Sequence, residues 1–283
     1  MDINALRDRL ASLNSKTAKK PRDLFKPKDK HTVRLMPYPH GEDPMLVLHF
    51  HYDIGNASVY CPKANLGEDC EICDFCDKLR AWKGPDGNDK AESDRKTDWE
   101  MFKKIQAKAR VFVPCVVRGS EAEGPKFWSI TPKQAEGLLK VCSNSDRIEM
   151  IGADPADPKE HLRVLFDTDK AFDLDVDFAK PGEKGNTTSF TQVTFEPKIK
   201  ATPLLSDRKA AQELVKQVKD IKDVYPPATS AEVAVLFKKF VGEGMTVAEP
   251  TGGVEKYPSN SNEKLTGTKS IDEAFDEMAS AGK

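Results

Sequence analysis

The run Leu46-Val47-Leu48-His49-Phe50-His51, followed by Cys61, Cys70, Cys73 and Cys76, is the stretch on which the fold turns. Leu46, Leu48 and Phe50 alternate with Val47, His49 and His51, the period-two pattern of a β-strand. The strand delivers a histidine to a tight cysteine cluster. The Cys70-x-x-Cys73 spacing lets two thiolates meet one ion at ~2.3 Å. Cys61 adds a third thiolate, and His51, at the end of the strand, an imidazole. Such an S₃N set suits a closed tetrahedral site, which predicts one structural Zn²⁺. Cys73-x-x-Cys76 offers a second pair of the same spacing, and His49 lies ~7 Å from His51 on the same strand face. The residues alone therefore leave Cys76 and His49 open as alternative ligands. Disulfides are not expected of a chain without a secretion signal, and no βαβ context supports a thioredoxin-like role. Cys115 and Cys142 sit in apolar contexts and read as core.

Outward from this stretch the strand signals multiply. Thr32–Met36 alternates and is closed by Pro37 and Pro39. Arg110–Val117 is strongly β-forming, with Pro114 implying an edge or bulge. Phe127–Ile130 precedes a helix from Pro132 to Val141. His161–Phe166, Phe172–Phe178 and Phe190–Phe195 read as further strands, and residues 83–98 as an exposed loop. Two helices end the globular part. The first, about 207–221, aligns Ala211, Leu214, Val218 and Ile221; the second opens on the capping box Thr229-x-x-Glu232 and stops at Gly242 or Gly244. The expected class is mainly β with α, a small barrel with helices at its C-terminal end; periodicity does not separate an OB-type barrel from a sandwich. Ile3, Leu6, Leu10 and Leu13 predict a short amphipathic helix over 3–13. It is too short to stand alone, so it is expected to dock on its own domain or on another molecule. A basic arm follows to residue 30, and a linker starts at Pro250.

The chain has 283 residues, with 44 Lys plus Arg against 46 Asp plus Glu. A balance so close to zero argues at first against a nucleic-acid ligand. The total hides opposing blocks, however. Residues 1–30 carry nine cations and four acids, and residues 78–110 ten and six. Residues 146–196 carry six cations and twelve acids, and 249–283 four and seven. No stretch approaches the ~18 apolar residues of a membrane span, and Met1-Asp2-Ile3-Asn4 opens no apolar leader, so neither membrane insertion nor secretion is expected.

Cations interleave with aromatics from Trp99 to Phe112. In a strand, Lys104, Gln106, Lys108 and Arg110 would share one face. A row of cations can track a phosphate backbone while Phe102, Phe112 and Trp128 stack on unpaired bases. Asp173, Asp175 and Asp177 raise a competing reading, a Mg²⁺ site of a nuclease. Their strict alternation predicts a solvated outer face instead. An RNA-binding regulator with a structural zinc is the other alternative. No P-loop, nucleophile elbow, zincin or Rossmann glycine pattern is present.

In the order of these parts the chain resembles the single-stranded DNA-binding, helix-destabilising proteins of T4-type bacteriophages. The likeness is carried by the basic N-terminal region, Arg34-Leu35-Met36-Pro37, the His…Cys…Cys-x-x-Cys element, the basic segment leading into Val116-Val117, and the acidic tail. It implies an OB-fold core with an adjacent zinc-binding subdomain, flanking helices and flexible termini. The implied divisions are 1–30 (protomer contact), 31–245 (DNA-binding core, zinc subdomain at about 49–80) and 246–283 (linker and tail). His51, Cys61, Cys70 and Cys73 match the family's zinc ligands, and Lys103, Lys104, Lys108 and Arg110 its Lys/Arg-rich DNA-contacting strand. Lys16, Lys19 and Lys20 lie in Ser15-Lys16-Thr17-Ala18-Lys19-Lys20, the nearest match to the motif joining neighbouring protomers, although here it follows the helix instead of preceding it. Asp272, Glu273, Phe275, Asp276 and Glu277 correspond to a tail that recruits replication and recombination proteins. The implied protein is no enzyme. It binds single-stranded DNA cooperatively, self-associates along it, and serves phage replication, recombination and repair in the cytoplasm of the infected bacterial host.

Overall fold

A computed structural model of the protein describes residues 24–25, 30–54, 57–84, 87–183, 186–187 and 192–242. The expected helix at 3–13, the arm residues Lys16, Lys19 and Lys20, and the tail residues Asp272, Glu273, Phe275, Asp276 and Glu277 lie outside the described residues.

The elements in chain order are β1 (Leu24–Phe25), β2 (His31–Leu35), β3 (Leu46–Ile54), β4 (Ala57–Tyr60), α1 (Pro62–Leu66), α2 (Glu71–Arg80), α3 (Glu92–Ile105), β5 (Ala107–Val117), β6 (Lys126–Ile130), α4 (Pro132–Cys142), α5 (Ser145–Ile151), α6 (Arg163–Phe166), β7 (Ala171–Ala179), β8 (Gln192–Thr202), α7 (Arg208–Lys216), α8 (Ile221–Val224) and α9 (Ser230–Gly242). The fold is mixed α/β. Among the described residues, no helix is long and apolar enough to cross a membrane. The chain divides into two compact units. One contains residues 49–108 and the chain from Pro227, the other residues 19–48 and 109–226.

The second unit is built on the strand order β1-β6-β5-β2-β7-β8. β1 runs parallel to β6, and the other neighbours are antiparallel, so the sheet is mixed. Val33, Leu35, Val113, Cys115, Trp128, Ile130, Leu174 and Val176 point into one buried cluster with residues of α4 to α6. α4 starts on a complete capping box, Thr131 Oγ1 accepting from Gln134 N–H while Gln134 Oε1 accepts from Thr131 N–H. Gly137 lets this helix approach β8, since a Cβ there would stand 2.8 Å from Cζ of Phe195. Cys115 and Cys142 are buried in the core as expected, and burial pushes both thiols up to about 12.

Four elements depart from the expectation. Residues 92–105 form α3, where a loop running into a strand was expected. Glu92 and Asp94 in its first turn and Lys103 and Lys104 in its last complement the helix dipole, and Met101, Phe102 and Ile105 bury one face. His161–Phe166 is not a strand. The chain enters α6, with Arg163 paired to both Glu160 and Asp167; its consecutive buried Val164, Leu165 and Phe166 do not alternate. Pro114 is neither on an edge nor in a bulge, because β5 lies between β2 and β6. It sits just past Leu35↔Cys115, opposite Met36, whose N–H donates to the Pro114 carbonyl at 2.9 Å. The helix expected over 207–221 breaks into α7 and α8. The last helix follows its capping box, Thr229 N–H donating to Glu232 Oε2 at 2.8 Å, and ends at Gly242.

Candidate metal centre and the basic segment beside it

The first unit assembles its site from a hairpin and two helix starts. β3 and β4 pair through Phe50↔Tyr60 and His51↔Val59, and the ladder runs on as Cys61 N–H donates to the carbonyl of His49 at 3.0 Å. His51 is thus set beside the chain that leads to Cys61. Cys61 caps α1, its Sγ accepting from Ala64 N–H at 3.4 Å. Gly67, at φ +73°, ends α1 in the left-handed conformation that glycine adopts without strain, and so turns the chain back toward α2. Cys70 caps α2 and Cys73 lies in its first turn.

Sγ of Cys61, Cys70 and Cys73 and a ring nitrogen of His51 all lie within 4.8 Å of one another. Cys61 Sγ is 3.5 Å from Cys73 Sγ, and His51 Nε2 is 3.4 Å from Cys70 Sγ and 3.6 Å from Cys73 Sγ. A tetrahedral ion bound at ~2.3 Å by sulfur and ~2.0–2.1 Å by nitrogen sets its ligands about 3.8 Å (S···S) and about 3.5 Å (S···N) apart. These three edges match that tetrahedron to within a few tenths of an ångström. Three of the four residues are buried and Cys73 is half-buried. Hydrogen bonds from Cys70 and then Cys73 hold the Cys61 sulfur far below the ordinary thiol range, at about 3, and the same shared protons push Cys73 upward. A cation would take the place of those protons. The set therefore fits a metal ion.

His51, Cys61, Cys70 and Cys73 come together; Cys76 and His49 do not join them. Cys76, one turn along α2, is buried, and burial pushes its thiol up to about 12.

Two supports around the cluster have no sequence signature. The carboxamide of Asn65 accepts from His49 N–H at 2.8 Å and donates to the carbonyls of His49 at 2.8 Å and Cys61 at 2.9 Å, tying α1 to β3. His51 Nδ1 lies 2.8 Å from the carbonyl oxygen of Ile105, the last residue of α3. That bond orients the ring with Nε2 toward the thiols. Lys63 joins α1 to α2 through Asp74 at 3.3 Å and Asp77 at 3.6 Å.

The basic segment is placed differently from the single strand face expected of it. Lys103 and Lys104 belong to the last turn of α3; Lys108 and Arg110 belong to β5. Lys103 pairs with Glu100 at 2.6 Å, and Lys108 Nζ donates to the carbonyl of Lys104 at 3.5 Å. Arg110 is 5% exposed and lies in the part of β5 within the second unit. The three aromatic rings expected to stack on bases are buried: Phe102 at 9%, Phe112 at 2% and Trp128 at 3% exposure. Phe112 packs on Tyr225 at 4.8 Å, and Trp128 packs between Phe25 and Phe195.

The aspartate row on β7 is not the solvated face expected. Asp173 is 9% exposed, with both carboxylate oxygens 3.0 Å from Arg118 Nε and one 3.1 Å from Arg34 Nε. Asp175 accepts from Thr32 Oγ1 at 2.6 Å and pairs with Lys198 at 2.7 Å. Cations of the protein itself therefore neutralise these carboxylates, a poor arrangement for binding Mg²⁺.

A scan of protein-family models and a search of curated proteins found no match to this chain.

Proposed function

We propose that this protein is a cooperative, largely sequence-independent binder of single-stranded DNA, with one structural Zn²⁺ held by His51, Cys61, Cys70 and Cys73 and an OB-type core. Zinc suits three thiolates and an imidazole in a closed, buried tetrahedron better than a hard or square-planar ion does. When bound, the ion supplies cross-linking between β3, α1 and α2 and no chemistry on a substrate. The observation that carries the DNA reading is the coupling of this site to the basic segment. The carbonyl that orients His51 ends the helical turn bearing Lys103 and Lys104, and Lys108 follows three residues later. An ion that fixes His51 thereby fixes the cations that would meet phosphates.

Binding of this kind releases counterions, so its affinity falls steeply with salt. Self-association along the strand through Lys16, Lys19 and Lys20, and recruitment of replication and recombination proteins by the tail from Asp272 to Glu277, belong to the same proposal and rest on the family resemblance. The test is a titration of poly(dT) and of duplex DNA of equal length at low and high salt. Preference for poly(dT) that weakens with salt is expected. Equal affinity for the duplex would sink the reading, and Mg²⁺-dependent cleavage abolished in Asp175→Asn would replace it with the nuclease.

A further inference from the structure

We infer that Trp82 and Trp99, with the arginines laid against their aromatic strip, form a stacking platform for the unpaired bases of a single-stranded nucleic acid. The inference rests on the single-stranded DNA reading above and names the aromatic contacts that reading lacks. The chain has three tryptophans. Trp128 is buried at 3% exposure, whereas Trp82 is 71% and Trp99 50% exposed. Exposing two large indoles in one small unit forgoes the burial that normally stabilises them.

Their surroundings are ordered. The guanidinium of Arg95 lies 4.9 Å from the centre of the Trp82 ring. Trp99 stacks on Phe102 at 5.1 Å with 24° between the planes, and Arg80 stands 5.3 Å from the Phe102 ring on its own account. Arg95, Trp99 and Phe102 occupy positions i, i+4 and i+7 of α3, so they form one stripe along the helix. Lys103, one turn beyond Trp99, continues it with a cation.

Aromatic faces alternating with cations are what a flexible, unpaired strand requires. Each base offers a π-face to an indole, and each phosphate between bases meets a guanidinium or ammonium. Phe102 backs Trp99 from within, and Arg95 braces Trp82, so both rings are held before a ligand arrives. Two of the acids on α3 are engaged by lysines, Asp98 by Lys90 at 2.7 Å and Glu100 by Lys103 at 2.6 Å. Stacking reads no base edge, which agrees with sequence-independent binding.

The test follows indole fluorescence of the full-length chain during titration with poly(dT), in the wild type, Trp82→Ala, Trp99→Ala, the double variant and Trp128→Phe. Each single alanine variant is expected to lose affinity about tenfold, the effect of losing one stacked base. Trp128→Phe should keep the fluorescence change, and the double variant should lose most of it. Metal content and the melting temperature report whether each variant is folded. Shielding of the wild-type indoles from acrylamide by bound poly(dT) gives a second readout that needs no substitution. Three results overturn the platform while leaving single-strand binding in place: a folded double variant that binds like the wild type, a Trp128→Phe protein that alone loses the signal, or bound DNA that shields no indole. Failure of the wild type to bind either poly(dT) or poly(U) overturns both readings. A parallel titration with poly(U) separates the ligand's source. Tighter binding there, lost in the double variant, supports the platform and moves the assignment to RNA.

Discussion

His51 Nδ1 stands 2.8 Å from the carbonyl oxygen of Ile105, while its Nε2 faces Cys70 at 3.4 Å and Cys73 at 3.6 Å. One imidazole therefore joins the end of α3 to the thiol cluster. The strand that carries it, the two helix starts that carry the cysteines and the last turn of α3 respond together to whatever occupies the cluster.

Metal removal should show that coupling. Purified protein is expected to hold one zinc per chain. Stripping it with a chelator under reducing conditions should lower the melting temperature and the helical signal, because structural zinc sites contribute on the order of 10 kcal/mol to folding. Calorimetry with and without added Zn²⁺ measures this, and a stripped chain that melts like the loaded one would remove the metal assignment.

Cys70 and Cys76 should behave oppositely although both lie on or beside α2. Cys70→Ser should lose most bound metal. Cys76→Ser should keep the full metal content and lose only about 1–3 kcal/mol, the cost of placing a hydroxyl in a buried apolar position. Metal analysis of the two proteins side by side decides it; equal metal loss would bring Cys76 into the coordination sphere.

The Arg34–Asp173–Arg118 cluster should be a point of vulnerability in the second unit. Arg34 is fully buried, donates to the carbonyl of Thr202, and lies 3.1 Å from Asp173. Burial pulls its guanidinium down to about 10, against the opposing pull of Asp173. Asp173→Ala leaves a buried cation without its counter-charge, and is expected to cost about 3–5 kcal/mol in urea unfolding. A loss below about 1 kcal/mol would mean that the carbonyl and hydroxyl of Thr202 hold Arg34 without the carboxylate.

Asp175 sets part of the acid limit. Burial alone would raise its pKa, but hydrogen bonds from Lys198 and Thr32 outweigh it and leave the folded value below the ordinary 3.8. A carboxylate depressed in the folded state contributes stability above its unfolded pKa, and that contribution is lost as pH falls through the folded value. Asp175→Asn should therefore be less stable at neutral pH and show a flatter loss of stability below about pH 4. Parallel pH–stability curves for the two proteins would deny the carboxylate this role.

The residues of the candidate metal site were legible because metal-binding chemistry imposes a spacing that few other roles require, and three of the four lie within thirteen residues at a turn and two helix starts. β7 was legible through its alternation, and α9 through its capping box. Residues 92–105 misled because Trp99, Met101, Phe102 and Ile105 satisfy both strand-forming composition and a helical stripe; packing against α2 settles which period is used. The Asp173 row misled for a related reason. Alternation says which residues share a face, but a face is wet or dry only according to what packs on it, and Arg34 and Arg118 come from strand and turn far away in sequence.

The amino-acid sequence by itself determined the histidines and cysteines from which a metal site could be drawn, the strand at its heart and the charge blocks that balance near zero, since each depends on neighbours close along the chain. Only the tertiary structure decided that Cys76 and His49 stand aside, that Lys103 and Lys104 ride a helix, and that Phe102, Phe112 and Trp128 are buried while Trp82 and Trp99 face water. Those outcomes depend on which surfaces meet across long separations, where burial of one face chooses among conformations that local preference leaves nearly equal.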